Sequence, residues 1–222
     1  HIEKIETPLR IAMGVFLRRD FETGEHIKRV AAYAELIARK MAKEEKVDDE
    51  FVYLIFVAAP LHDIGKIGIP DKILHKPGPL TDEEYALIKT HVKVGVEMLE
   101  DILTDLPAVP ESVKTIFSNV IGQHHEKLDG TGYPRGLKGS EVSMEGRILA
   151  VVDIFDALTA RRPYKDPWST TEAFKYLRKL ARQNQLDAEI VDMFVGCSDE
   201  ISAIKQLYPE KSPERYQTHD LQ

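Results

Sequence analysis

Apolar residues recur along most of the chain at the three- and four-residue spacing of amphipathic helices. In the first such segment, which begins at Ile27, one helix face would carry Val30, Ala31, Ala34, Ile37, Ala38 and Met41. Alternation of apolar and polar residues, the pattern of a half-buried strand, is nearly absent. The pattern therefore predicts an all-α fold.

Capping signals indicate where the later helices begin. A side-chain oxygen at the N-cap, often with a glutamate three residues later, satisfies backbone N–H groups that a helix start leaves without partners. Such signals, together with early acidic residues or a proline, predict helix starts near Asp48, at Thr81 (ending about Leu99), at Pro110 (ending near His125), at Ser143 (ending about Thr159), at Ser169 and at Asp187 (ending about Leu207).

Two stretches rich in glycine and proline, residues 67–80 and 129–139, interrupt the helices. Loops of this length inside a domain are often functional. The longest apolar run, residues 51–61, is shorter than the roughly 18 residues that a bilayer span needs. We interpret it as a buried core helix and predict no membrane span in this segment.

The length of 222 residues suits one domain. Residues 1–8 are predicted to be a linker, residues 9–207 the helical domain, and residues 208–222 a polar tail. Because the chain begins with His1 rather than Met, we expect it to be a piece of a longer protein.

Charge and cysteine content narrow the possible partners. The net charge of −7 argues against a nucleic acid polymer as ligand, since such polymers require a basic surface. A small anion can still bind where a metal ion supplies positive charge. The single cysteine, Cys197, cannot form an internal disulfide and fits a reducing compartment.

Histidines and acidic residues occur at positions where the surrounding apolar pattern predicts buried side chains. The pair His62-Asp63 ends the apolar run, and Asp153 interrupts another, where Arg147 is a candidate partner. Any one of these residues alone would more often be structural. Several helices that each carry such a residue favour a metal centre built between helices. The candidate ligands are Glu22, His26, His62, Asp63, His91, His124, His125 and Asp153.

Imidazole and carboxylate without thiolate favour iron, manganese or a similar ion over a closed structural zinc site. The candidates outnumber the ligands of one catalytic ion, so we expect two or three divalent ions, with Asp63 able to bridge two of them. Two ions about 3.5–4 Å apart suit phosphate ester hydrolysis.

Longer motifs resemble a known family. The order His26, His62-Asp63 and Asp153 is similar to the signature of the HD superfamily of metal-dependent phosphohydrolases. A narrower resemblance, across roughly residues 20–205, is to the HD-GYP family. It rests on residues 59–70 (APLHDIGKIGIP), 124–134 (HHEKLDGTGYP, with the naming triplet Gly132-Tyr133-Pro134), 153–159 (DIFDALT) and 162–165 (RPYK).

The resemblance implies a helical bundle of the HD type and cyclic di-GMP phosphodiesterase activity in the bacterial cytoplasm. It places the metal ligands on the eight candidates above, with Glu22 at the position associated with a third ion. Asp63 and Lys66 match catalytic positions, Lys66 near the scissile phosphate. Tyr133, Arg162 and Lys165 match positions that hold the substrate.

Alternatives stay open at this point. If the substrate is cyclic di-GMP, the product is linear pGpG, with GMP after a second cut. Alternatively, the preferred substrate is 3′3′-cyclic GMP-AMP. A sensor that binds the dinucleotide or a partner protein without cutting is a third reading. The resemblance also implies an N-terminal regulatory domain, and contacts between the Gly132-Tyr133-Pro134 loop and a diguanylate cyclase or another partner protein.

Overall fold

The structure is a computed structural model that describes residues 24–104, 109–160 and 166–209. Helices dominate these ranges, and their β structure consists of one isolated bridge between Asp129 and Lys138. The prediction of an all-α fold is confirmed.

The helices in chain order are α1 (Gly24–Lys43), α2 (Asp49–Ala58), α3 (Asp71–Leu74), α4 (Asp82–Lys89), α5 (His91–Thr104), α6 (Glu111–Gln123), α7 (Met144–Thr159), α8 (Thr170–Arg182), α9 (Ala188–Val195) and α10 (Ser198–Leu207). Within the described residues, short 3-10 helices accompany them at Ala59–Leu61, Ile64–Gly68 and Gly139–Glu141.

Most predicted helix starts are confirmed by their caps. Thr81 Oγ1 accepts from the backbone N–H of Glu84 at 3.2 Å, and the Glu84 carboxylate accepts from the N–H of Thr81 at 2.8 Å. The Ser143 hydroxyl caps α7, which runs to Thr159 as predicted. These signals work because donor and acceptor lie within one turn of each other.

Two predicted helices are each split in the structure. The segment after Thr81 turns at Thr90, whose backbone N–H donates to Leu87 O at 3.1 Å, three residues back, so α5 begins anew at His91. The last segment turns at Cys197, whose N–H donates to Phe194 O. Bonds to the third residue back tighten the chain into a turn without disturbing the apolar spacing.

The core surrounds α1. This helix packs against α2, α7, α9 and α10, while α6 packs against α2, α5 and α7. Tyr33, Phe155 and Phe194 form a cluster of edge-to-face rings with centroids 5.0 to 5.6 Å apart. This packing fixes the relative positions of the helices that carry the histidines.

The apolar run at residues 51–61 belongs to a longer helical stretch than the sequence indicates. Asp49–Gly68 joins α2 to both following 3-10 turns, and by length and composition it could cross a membrane. However, 56% of its most apolar window is buried inside the fold. A mostly buried core helix passes the same test, so this stretch is weak evidence for a span.

The sequence singles out two further side chains. Cys197 is buried in the structure. Arg147 does not pair with Asp153: its guanidinium donates to Asp187 Oδ2 at 3.1 Å and to Val142 O at 2.8 Å. The predicted linker, residues 1–8, and all but the first two residues of the predicted tail at 208–222 lie outside the described residues.

Candidate metal centre

The His62-Asp63 pair lies between two 3-10 turns that follow α2. Pro60 sits in the first turn, which has no side-chain cap, and the backbone N–H of His62 donates to Ala59 O at 3.2 Å. This tight turn directs both polar side chains inward: His62 is fully buried and Asp63 is 4% exposed.

Gly65 brings this turn directly against α5. A Cβ at Gly65 would lie 1.9 Å from His91 O and 2.4 Å from Gly95 N. Only a residue without a side chain permits backbones to approach this closely. The contact brings Asp63 Oδ1 to 3.1 Å from His91 Nε2.

Three histidines share one hydrogen-bonding pattern. In each, Nδ1 bonds to the backbone carbonyl three residues earlier: His62 to Ala59 (2.8 Å), His91 to Ile88 (2.7 Å) and His124 to Ile121 (2.9 Å). A carbonyl oxygen only accepts, so Nδ1 carries the hydrogen. In the neutral rings the lone pair therefore lies on Nε2, as metal ligation through that atom requires.

In His26 a carboxylate, not a backbone carbonyl, keeps the hydrogen on Nδ1. Its Nδ1–H donates to Asp156 Oδ2 at 2.7 Å. Arg29 holds that carboxylate from the other side, with Nε 2.6 Å from Oδ1 and a terminal nitrogen 2.9 Å from Oδ2. Burial alone would raise the pKa of Asp156, but His26 and Arg29 outweigh it and lower the pKa.

Asp63 joins two groups of possible ligands. One comprises Asp63, His91, His124 and His125, the other His26, His62 and Asp63, and in each the ligand atoms lie within 4.8 Å of one another. Its Oδ1 lies 3.1 Å from His91 Nε2 and 3.7 Å from His124 Nε2, whereas its Oδ2 lies 3.2 Å from His62 Nε2. Each carboxylate oxygen thus faces a different group.

The donor set fits a cation. Nε2 of His91 and Nε2 of His124 lie 3.4 Å apart, and in the neutral rings both atoms carry lone pairs, which repel each other unless a positive charge lies nearby. Burial lowers the pKa of His124 and lowers the pKa of His125 well below its usual range, which keeps both rings neutral. This cluster could hold a divalent metal ion.

Asp63 is held in its charged form. Burial by itself would raise the pKa of Asp63, but nearby positive charge, that of the Lys66 ammonium first, outweighs it, so the pKa lies well below the usual range. Lys66 Nζ is 2.8 Å from Asp63 Oδ2, and its side chain is 14% exposed. Lys66 therefore contacts the carboxylate directly and keeps part of its own side chain exposed to solvent.

Asp153 lies at the edge of the second group. Its Oδ1 is 3.8 Å from His62 Nε2 and 4.0 Å from His26 Nε2, and its side chain is 17% exposed. It approaches the same Nε2 atoms as the other candidates but at longer distance. Its role as a ligand stays a prediction.

The second Gly/Pro-rich loop folds back onto the centre. The buried Glu126 carboxylate accepts from the backbone N–H groups of Arg135 at 2.8 Å and Leu137 at 2.9 Å. Gly132 lies so close to this bend that a Cβ there would be 2.4 Å from Lys127 N. The Tyr133 N–H donates to His125 O at 3.1 Å, and the two rings lie 4.6 Å apart at 31°.

The structure thus brings together seven of the eight predicted ligands, with Lys66 and Tyr133 beside them. Glu22, Arg162 and Lys165 lie outside the described residues. Sequence reasoning gave no role to Asp156, Arg29 or Glu126. An available signal was that Asp156 lies one helical turn after Asp153, and Arg29 one turn after His26.

In this all-α fold, imidazole and carboxylate groups from several helices converge on one shared aspartate. The chain thus falls in the class of helical proteins whose inward-facing side chains can hold a metal ion between helices. The HD domain family model matches residues 21–190. The chain belongs to the HD domain family and, within it, to the HD-GYP family.

Two curated relatives and one solved structure show what the chain is similar to. It is 40% identical over 86% of its length to 3′3′-cGAMP-specific phosphodiesterase 2 of Vibrio cholerae, and 42% identical over 84% to a cyclic di-GMP phosphodiesterase of Thermotoga maritima. It spans 34% and 47% of the length of those proteins.

The solved structure is described as an HDG"Y"P protein from Bdellovibrio bacteriovorus. It matches with a TM-score of 0.57 over 84% of this chain and 56% of its own, at 20% identity. At this level of identity the likeness supports the HD fold alone.

Proposed function

We propose that this domain is a metal-dependent phosphodiesterase that cuts cyclic di-GMP to linear pGpG, with GMP as the product of a second cut. The observation that carries the proposal is the position of Asp63, whose two oxygens face two separate imidazole groups. Such an arrangement suits adjacent cations, which phosphodiester hydrolysis commonly uses.

Two or three divalent ions, iron or manganese, are proposed as cofactors. The proposed ligands are His26, His62, Asp63, His91, His124, His125 and Asp153, with Glu22 for a third ion. When bound, such ions lower the pKa of water and neutralise charge on phosphoryl oxygens. The described ligand atoms include no thiolate, which favours these metals over a structural zinc site.

Asp63 and Lys66 are the proposed catalytic residues. Asp63 holds its charge between the two imidazole groups and so sets their separation. Lys66 Nζ lies 2.8 Å from Asp63 Oδ2, where an ammonium can donate hydrogen bonds to a phosphoryl oxygen of the substrate. That contact stabilises the charge that develops during cleavage.

The proposed substrate-binding residues are Tyr133, Arg162 and Lys165. Tyr133 is half-buried, with its ring against that of the proposed ligand His125, so a base held by this ring would lie beside the reacting phosphate. Arg162 and Lys165 follow α7, the helix that carries Asp153. Arginine suits bidentate phosphate contacts, and lysine supplies a point charge.

A preference for 3′3′-cyclic GMP-AMP is the second candidate. The observation behind it is the near-equal identity of the chain to relatives named for each ring, 40% and 42%. The two rings differ at one base, so the chemistry at the metal centre would be the same. Contacts to that base decide between them.

We further propose a bacterial cytoplasmic location, contacts of the Gly132-Tyr133-Pro134 loop with a diguanylate cyclase or another partner protein, and a regulatory domain N-terminal to this segment. The bacterial sources of the relatives support the bacterial origin in the first point. The exposed Pro134, in a loop that hydrogen bonds to Glu126, supports the second.

The test is product analysis. Protein reconstituted with Fe²⁺, and separately with Mn²⁺, is incubated with each ring, with and without a chelator, and the products are separated by chromatography. Linear dinucleotide or GMP that disappears with chelator supports the phosphodiesterase, and the relative rates rank the rings. Intact rings in every metal, in folded protein that binds them, would favour the non-catalytic sensor.

Asp63→Asn is the accompanying variant. It should abolish turnover and keep the fold, because it removes the charge on which both groups depend. Asp187→Asn is the matched control, since Asp187 pairs with Arg147 away from the centre and should leave turnover unchanged. Normal turnover by folded Asp63→Asn would contradict the assignment.

A further inference from the structure

Helix α4 lies beside the candidate centre without contributing to the core. None of its side chains is buried. It is held by its capping box and by an ion pair between Lys76 and Glu84. Its largest side chain, Tyr85, is 47% exposed. Core packing therefore does not explain an aromatic residue at this position.

A line of rings runs from the proposed ligand His125 to this exposed tyrosine. The rings of His125 and Tyr133 lie 4.6 Å apart, and those of Tyr133 and Tyr85 lie 6.5 Å apart at 82°. Each neighbouring pair is within the range of aromatic contacts. The ring surface at the centre thus continues onto α4.

Lys89 places a positive charge between the two tyrosines. Its Nζ is 5.0 Å from the centroid of the Tyr85 ring and 5.8 Å from that of Tyr133. A lysine four residues after a tyrosine can stabilise a helix by itself. Stabilisation of the helix alone would not require the second contact, in which Lys89 approaches the ring of Tyr133 in the loop.

We propose that Tyr85 and Lys89 form, together with Tyr133, a nucleobase subsite that favours guanine. The inference deepens the proposed function and rests on it. Aromatic faces stack on any base, so Tyr85 and Tyr133 supply affinity. Guanine presents two acceptors, O6 and N7, on one edge, whereas adenine presents an amino donor beside N7. The Lys89 ammonium only donates, so it complements the guanine edge.

The test uses metal-loaded protein with cyclic di-GMP and with cyclic di-AMP, which share a backbone and differ in both bases. Tyr85→Ala should raise KM for cyclic di-GMP about tenfold, a loss within the range measured for base stacking, with kcat within a factor of two. Tyr85→Phe, which keeps the stacking face, should retain the KM of the original protein.

Lys89→Met should weaken the binding of cyclic di-GMP and leave the binding of cyclic di-AMP unchanged, because only the guanine edge offers paired acceptors. Matched controls are Tyr53→Ala on α2, where the tyrosine is 42% exposed, and Lys93→Met on α5, where the lysine side chain is 77% exposed. Thermal melting of every variant separates a role in stability from a role in binding.

If the unaltered protein turns over neither ring, the proposed hydrolysis fails, and the subsite is then tested by the Kd of the intact rings measured calorimetrically. The subsite is overturned if Tyr85→Ala leaves KM or Kd within twofold, or if Tyr53→Ala has the same effect. If Lys89→Met weakens the binding of both cyclic dinucleotides equally, the proposed preference for guanine is wrong.

Discussion

At the scale of single residues, Asp156 determines which nitrogen of His26 faces the centre. The carboxylate takes the Nδ1–H at 2.7 Å and is fixed by two hydrogen bonds from Arg29. Partners of this kind orient a ligating imidazole, and their loss typically lowers metal affinity about 10- to 100-fold.

We therefore expect Asp156→Asn to weaken metal binding by about that factor. The amide retains one acceptor but loses the charge opposite Arg29, so the free energy of unfolding should also fall, by up to about 3–5 kcal/mol for a broken buried pair. Calorimetric titration with Mn²⁺ and thermal melting measure the two effects. Asp187→Asn is the control, and an unchanged Mn²⁺ affinity in folded Asp156→Asn would contradict this role.

The same residues show where sequence reasoning stops. His62-Asp63 and Asp153 stand out because they interrupt apolar runs, a local signal. The role of Asp156 depends on partners 127 and 130 residues away, and that of Glu126 on a loop that bends back to its carboxylate. The helical spacing places Asp156 one turn after Asp153, but it does not reveal which distant side chains Asp156 contacts.

At the scale of elements, capping oxygens predicted the starts of α4, α7 and α8 because the bond closes within one turn. The turns at Thr90 and Cys197 were missed because apolar spacing continues across them without a proline. The first of these turns matters for the site, since it makes His91 the first residue of α5.

The close contact of the Ile64–Gly68 turn with α5 can be tested by adding a side chain at Gly65. Gly65→Ala would place a Cβ 1.9 Å from His91 O, so the turn must move away from the helix. We expect destabilisation of about 1–3 kcal/mol, as for overpacked sites. Metal affinity should fall as well, because Asp63 moves with the turn while His91 stays on α5.

Denaturant unfolding and Mn²⁺ titration check both effects. Gly196→Ala is the matched control, since its Cβ would meet its nearest neighbours at 3.4 Å, an ordinary contact. A Gly65→Ala protein with the stability and Mn²⁺ affinity of the control would show that the backbone approach is not required.

At the scale of the whole molecule, the candidate centre connects parts of the chain that local structure does not connect. His26 lies on α1, Asp63 between two turns, His91 on α5, His124 after α6 and Asp153 on α7. Opposed lone pairs and a buried charged carboxylate gather where these elements meet. A bound cation would relieve that repulsion in the folded state alone, so metal binding should stabilise the entire fold.

Metal removal is therefore expected to lower the melting temperature. A ligand at about one hundred times its Kd stabilises the folded state by about 2.7 kcal/mol. For a domain of this size that corresponds to a shift of roughly 5–10 °C. Melting curves with Mn²⁺, with chelator, and with Mn²⁺ restored would measure it, and Asp63→Asn should show a much smaller difference between the first two. Identical curves with and without metal would mean that the helices hold the histidines in place unaided, and that the cation contributes to chemistry but not to folding.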